Sequence, residues 1–578
     1  MKRQVSIILL FAFLFVFYNT KANNIAVTSI STVDSAGFTF IQFNLSWDNS
    51  WRTSSAPSNF DGAWVFMKYK DLDGKWKHMH ILTATPAVVP AGFSSKLSQV
   101  NNLYGAAGVM IWRSANGSGT STLTGVRLPV QSLVGTYDLR VFAIEMVFVP
   151  GGGAAHNFNT APFPNANMTN FSSRMFYGDG DGTTETASAF HSISADNTAV
   201  DVTASVNWQQ DTIEVDANAL DDAQLESGII VDINRLVLLP PYNTDNREFP
   251  TGHTFFWCMK HEISHAAYRD FLNTLTYNQQ IFNTSVAPNS AIGTNAVGGS
   301  FLNRSYLEIK TPGVPPSGGS TLGTAAVYGV DGNTNNIFDE TDDGEWIAMH
   351  RISWSQLCAF LDWAGLRPMT ELEFEVACHG AGGGSFLQPD VGDFAWGYTA
   401  RCTNTYTITG QRTTAEAISN TCATDGNAIY SLTGLTGPAR CGVFATATSN
   451  RLQAGATYWG IMEMSGNVWE RVVTVGNVAG RSFQGTINFG DGSLNDAGQA
   501  DVNTWPGING NTDATVANGA YNETNGIGVN GAAGSGFRGG AYNTTPPAMR
   551  IANRDRAADN DNTMSNGYGG RGVIYILP

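Results

Sequence analysis

Two short strings near the C-terminal end constrain this chain most. They are Gly460-Ile461-Met462-Glu463-Met464-Ser465-Gly466-Asn467-Val468-Trp469-Glu470-Arg471 and Phe537-Arg538-Gly539-Gly540-Ala541-Tyr542. Between them lies a Gly/Asn-rich stretch, Asp491 to Gly536, which reads as a surface excursion. Much of the chain has the same turn-rich character. Of 578 residues, 63 are glycine and only 14% are charged, with Asn and Thr abundant. That balance points to an extracellular, mostly β protein, not a helical cytosolic enzyme. A hydrophobic share of 42% argues against disorder. The net charge of −16 repels phosphate backbones, so no nucleic-acid partner is expected.

The first residues read as a secretory signal peptide spanning 1–22. Lys2 and Arg3 give the positive start, Val5 to Phe17 the apolar core, and Thr20 and Ala22 the small cleavage positions. The core is too short for a comfortable anchor, and no later run resembles a membrane span. The expected location is secreted, extracellular or at the cell surface. The chain has six cysteines: Cys258, Cys358, Cys378, Cys402, Cys422 and Cys441. Cys402 and Cys422 flank a Thr/Asn-rich loop and form the preferred disulfide. Free buried thiols are the alternative for Cys258 and Cys358.

Residues 23–138 read as an antiparallel β-sandwich. Phe38, Phe40, Phe43, Leu45 and Trp47 alternate with polar residues, with a slip between Phe40 and Phe43 that suggests a bulge. Asp73-Gly74 marks a hairpin turn. Three helices are legible further on. Tyr268, Phe271, Leu272 and Leu275 have helical spacing after a Ser264 cap. Ser353 with Gln356 opens a helix from Trp354 to Ala364 that Gly365 ends, and Thr370 with Glu373 opens a third.

The two opening strings, with Leu366-Arg367-Pro368-Met369-Thr370-Glu371-Leu372-Glu373-Phe374-Glu375-Val376-Ala377, resemble the sulfatase-modifying-factor (formylglycine-generating enzyme) family. The resemblance implies an α+β chain. The sandwich would be followed, over 139–578, by a C-type-lectin-like domain with long loops and insertions at about 154–211, 278–345 and 491–536. Glu145-Met146-Val147-Phe148-Val149 looks like the family's opening strand, and Met259 to Ser264 like the strand leading into its first helix. The family pattern also implies a Ca²⁺ site from Glu463, the carbonyls of Gly466 and Val468, and Glu470, a hard-oxygen set suited to that ion. Pairing of Glu470 with a local Arg is the alternative. A second family calcium site maps loosely near Asp425-Gly426-Asn427-Ala428. Oxidases of the family carry two thiols shortly after Arg-Gly-Gly, where soft sulfur binds copper. Here those positions are Thr544 and Met549, so copper is not expected, and nothing resembles the separate helical domain that supplies iron ligands in related sulfoxide synthases, so neither is iron.

Three further patterns stand apart. His261-Glu262-Ile263-Ser264-His265 matches a zinc-protease motif, but a strand-to-helix turn between the histidines removes the shared face such a site needs. Asp331, Asn333, Asn335, Asp339 and Asp342 have EF-hand-like spacing, with a polar surface turn as the alternative. Gly178 to Gly182 is a weaker version of the same signal. Arg550 and Arg554 are expected to brace the fold by pairing with acids, or else to grip an anionic ligand. Trp469, Tyr542, Asn543, Asn553 and Asp555 are candidate ligand-binding residues, with Trp469 equally a core residue.

The sequence thus points to a secreted, calcium-stabilised, non-catalytic binding or surface-structural protein. Its expected partners are an extracellular protein, a glycan, or copies of itself. The alternatives are a metal-dependent oxidase with a relocated site, and a self-assembling surface-layer or filament subunit.

Overall fold

The computed structural model describes residues 24–150, except 36, 56, 100–104 and 132–136. It also describes residues 249–578, except 251, 253, 318–321, 380–392, 475–476, 510–526, 552 and 554. Between these spans only two short paired strands are described, β9 and β10 below. The candidate at Gly178 to Gly182 lies outside the described residues, as do the signal-peptide residues.

The N-terminal strands are β1 (Ala26–Ser35), β2 (Phe38–Arg52), β3 (Asp61–Lys70), β4 (Trp76–His78), β5 (Phe93–Leu97), β6 (Val109–Arg113), β7 (Gly117–Val130) and β8 (Asp138–Val149). Next come β9 (Arg174–Phe176), β10 (Phe190–Ser192), β11 (Phe256–Met259) and helices α1 (His265–Leu272) and α2 (Tyr277–Asn283). The hairpin of β12 (Leu307–Thr311) and β13 (Val327–Val330) precedes α3 (Trp354–Trp363), β14 (Arg367–Pro368) and α4 (Glu371–His379). The last strands are β15 (Thr407–Thr409), β16 (Ala417–Ser419), β17 (Glu470–Val473), β18 (Ile508–Asn509), β19 (Gly528–Val529), β20 (Ser535–Arg538) and β21 (Gly572–Ile574).

A three-stranded sheet, β1-β2-β7, covers one face of a larger sheet ordered β14-β21-β11-β8-β3-β6-β5, with β4 paired to β3. Strand alternation explains the layering. Ala63, Val65 and Met67 of β3 face Ile41, Phe43, Leu45 and Trp47 of β2 in one core. Trp64 and Phe66, the intervening residues, join a second core with Tyr268, Phe271, Phe360 and Trp363 of the helices. β3 is therefore buried on both faces, and its neighbour β8 pairs with β11. The large sheet runs without a break across residue 138, where the sequence suggested a boundary.

The expected bulge sits elsewhere. Ile41 carries the period with Phe43, Leu45 and Trp47. One extra residue lies in β7, where Gly125 takes φ 74 and its N–H donates to Asn44 Oδ1 at 2.9 Å, and another lies in β2 between Trp47 and Ser50. The helix caps reflect their residue chemistry. Ser264 accepts from Ala267 N, and Ser353 and Gln356 complete a reciprocal box. Thr370 Oγ1 accepts from Glu373 N at 3.1 Å, and Glu373 Oε2 from Thr370 N at 3.0 Å. Gly365 ends α3 at φ 70, in the left-handed region that favours glycine.

Two stretches expected as loop insertions contribute core. Tyr306, Leu307, Ile309, Tyr328 and Val330 are buried in the main cluster, as are Ala500, Trp505 and Val529. No described helix is long and apolar enough to cross a membrane.

Candidate functional site

The two strings meet as neighbouring strands. Glu470 pairs with Arg538 in the register of β17 and β20. Arg538 is buried and ion-paired to Glu371 Oε2 at 3.1 Å and to Glu375, both on α4. Its guanidinium also lies over Phe374. The Arg-Gly-Gly turn is thereby anchored to the capped helix. Gly539 (φ 85) and Gly540 (φ 69) make the turn, and a Cβ on Gly539 would meet Met464 O at 2.8 Å.

The segment after this turn is closed. Thr544 Oγ1 donates to Ala541 O and accepts from Ala541 N, each at 2.9 Å. Met549 is fully buried against Phe394, Trp396, Ala428 and Tyr430, and its carbonyl accepts from Ser465 Oγ at 2.7 Å. Arg550 makes no ion pair among the described residues, and its Nε and Nη1 are buried without a hydrogen-bond partner. The bracing expected of Arg550 belongs instead to Arg538, which has acids on the adjacent helix. Arg554 lies outside the described residues.

Beside the first string sits a buried carboxylate centre. Glu262 Oε1 accepts from Val468 N at 2.9 Å, and Oε2 from Asn467 Nδ2 at 2.5 Å. Glu470 Oε1 accepts from Arg571 Nε at 2.6 Å. Glu463 Oε1 accepts from Gly442 N at 2.6 Å, and its Oε2 lies 3.6 Å from His261 Nδ1. Glu463 Oε2 and Glu470 Oε2 are both buried with no hydrogen-bond partner. Burial, then the Glu470 and Glu463 charges, hold the Glu262 carboxyl well above its usual range. Burial also raises Glu470, against the pull of Arg571. Three buried carboxylates thus gather around one paired arginine.

The histidine motif is taken apart by the same geometry. His261 lies two residues past the end of β11, not on it, and His265 opens α1. His265 Nδ1 contacts Gly344 O at 3.1 Å. Glu262 serves the first string instead of a zinc site. Sequence reading missed that role and Arg571; the Met259-to-Ser264 string was the available signal. Asn427, in the loosely mapped second calcium segment, is spent as a clamp. It accepts from Cys422 N at 2.9 Å and donates to Cys422 O and Gln453 O at 3.0 and 2.9 Å.

Of the candidate ligand-binding residues, Trp469, Tyr542 and Asn553 are buried, while Asn543 and Asp555 are exposed. Trp469 packs on Phe537 and lies under the Arg556 guanidinium, so it is a core residue. Tyr542 stands edge-on to His350, and Asn553 Nδ2 donates to Asp555 Oδ2 at 3.0 Å. In the EF-hand-like stretch, Asp339 is occupied by Arg269 Nη1 and Lys310 Nζ, each at 2.9 Å, which removes it from a ligand set.

Cys402 and Cys422 form a disulfide. The other four thiols are buried and free. Burial pushes Cys258 up to about 12 and holds Cys358, Cys378 and Cys441 well above the usual thiol range. None has the electropositive, accessible setting of a reactive thiol.

Residues 243–574 match the family model described as the sulfatase-modifying factor enzyme 1-like domain. The chain belongs to that family. No curated protein matches it. The match contains both strings, the carboxylate centre and the four capped helices. It begins after β8, although β8 is hydrogen-bonded to the family domain's β11.

Proposed function

We propose that this chain is an exported, non-catalytic binding or surface-structural member of the sulfatase-modifying-factor family, stabilised by calcium. The observation that carries this reading is the treatment of the positions after Arg-Gly-Gly. A turn-locked Thr544 and a core Met549 stand where family oxidases are expected to hold their thiols. The remaining thiols are buried and held protonated, and soft thiolate is what a copper site requires. The disulfide supports an oxidising, extracytoplasmic location.

Calcium would be held by Glu463 and Glu470 with the carbonyls of Gly466 and Val468. The two unpartnered carboxylate oxygens fit that role, as does the excess of buried negative charge. There the ion would supply positive charge and a fixed loop geometry, not chemistry. The N-terminal two-sheet layer, read as a sandwich module, and the C-type-lectin-like loops give the scaffold its binding surface. An extracellular protein or glycan is the expected ligand, with Asn543 and Asp555 the exposed members of the candidate set.

Metal analysis of the exported protein, combined with thiol titration, tests this reading. Calcium without copper or iron is expected. The four free thiols should be unreactive when the protein is native and reactive once it is unfolded. Stoichiometric copper or iron together with reactive native thiols would overturn the reading.

A further inference from the structure

The loop after β13 gathers acids that the family motifs do not use. One carboxylate oxygen each from Glu340, Asp342 and Asp343 lies within 4.8 Å of the others. That span is about twice the length of a Ca²⁺–oxygen bond. Asp343 is wholly buried; its Oδ2 accepts from Glu340 N at 2.7 Å, and its Oδ1 has no partner. Glu308, on β12, is 3% exposed. Its carboxylate has no hydrogen bond or ion pair among the described residues. A Cβ on Gly293 would lie 3.7 Å from Glu308 Oε2 and 3.2 Å from Asn336 Oδ1, so the Glu308 carboxylate reaches the loop that carries Asp331 and Asp343. Asp331 is 1% exposed, and its oxygens accept only from Asn335 N and Asn336 N, at 3.2 and 2.8 Å.

No Lys or Arg among the described residues pairs with any of these five acids. The nearby Arg412 donates to the backbone carbonyl of Asp342 at 3.1 Å, and its own N–H binds Glu416. Arg269 and Lys310 are spent on Asp339. Acids gathered this closely, with Asp343 buried and no counter-charge beside them, are costly, and a cation removes that cost.

We propose that this loop is a calcium site built on Glu340, Asp342 and Asp343, with Asp331 and Glu308 supplying negative charge behind it. An all-oxygen protein set with irregular loop geometry suits Ca²⁺ better than Mg²⁺, which keeps its own water and demands a regular octahedron. The site differs from the EF-hand reading of the same stretch: Asp339 leaves the set, while Asp343 and Glu308 enter it. The Asn333 amide, 3.4 Å from Glu340 Oε2 and 3.1 Å from Asp342 Oδ1, can turn its oxygen to the ion.

The test uses the full exported chain, with Ca²⁺ and Tb³⁺ as probes. The Tyr306 ring lies beside Gly344, where a Cβ would meet it at 2.8 Å, so it can sensitise terbium bound here. Wild type is expected to show tyrosine-sensitised emission that calcium displaces. Asp343→Asn should lose that emission and one calcium equivalent. Half-buried Glu340→Gln, outside the core, should do the same with unchanged melting in chelator. Glu463→Gln should keep the emission, because the family-type site is separate. Retention of emission and full calcium content in both loop variants would overturn the proposal, as would absence of emission in wild type. Loss of calcium only in Glu463→Gln would overturn it while leaving the family-type site intact.

Discussion

Arg571→Met is expected to destabilise the protein by about 3–5 kcal/mol, read by denaturant unfolding in the presence of chelator. Arg571 is fully buried. It donates to Glu470 Oε1 at 2.6 Å and to the carbonyls of Met259 and Lys260 at 3.1 and 3.3 Å. It therefore ties β21 to both β17 and the end of β11. Removing it leaves Glu470 buried beside Glu262 and Glu463 with no opposing charge. The loss should come mostly from that stranded carboxylate. Arg571→Met combined with Glu470→Leu should therefore recover much of the stability, since replacing both members of a buried pair by apolar groups is often near neutral. A single-variant loss below about 1 kcal/mol would contradict the assignment of this pair as the centre's structural anchor.

Acid should destabilise the protein through its buried histidines, His265 and His350 among them. Burial, the larger cause, lowers His265 to about 4 and, with the neighbouring His265 and Arg351 charges, lowers His350 to about 3. Each ring has a buried Nε2 without a partner. Between these values and the ordinary histidine value near 6.5, the unfolded chain binds more protons than the folded one. Stability is therefore intact above about pH 6.5 and is lost as pH falls towards 3. Each histidine contributes a loss on the order of 3–5 kcal/mol at the acid end. Glu262 and Glu470, both raised, act in the opposite sense, so the comparison must be between variants. The stability of His350→Gln relative to wild type should rise steadily as pH is lowered from 6.5 to 3. A pH-independent difference would show that His350 does not titrate this way.

The sequence carried local structure well and long-range pairing poorly. Ser264, Ser353 with Gln356, and Thr370 with Glu373 were readable because a cap is decided within four residues. The disulfide partners Cys402 and Cys422 flank one loop. By contrast, Glu262 holds Asn467 and Val468 from about two hundred positions away. Nothing in the local pattern distinguishes that role from the zinc motif it resembles. Glu308 was invisible for the same reason, being one acid in a short strand whose meaning depends on the distant loop that carries Asp331 and Asp343. The opening of the large sheet to β8 could not be seen either, since strand order is a property of pairing. Two of the ligand-binding candidates, Trp469 and Tyr542, are aromatic. Aromatic character does not separate a binding face from a core, and both rings are buried.

The proposed loss of thiol chemistry from this family scaffold can be tested on a substrate. The purified protein is incubated with copper, oxygen and a cysteine-containing sulfatase-type peptide, and the peptide is followed by mass and by aldehyde trapping. An unchanged cysteine and no aldehyde are expected, in wild type and in Met549→Leu alike. Copper-dependent conversion of the cysteine to an aldehyde by wild type would contradict the proposal.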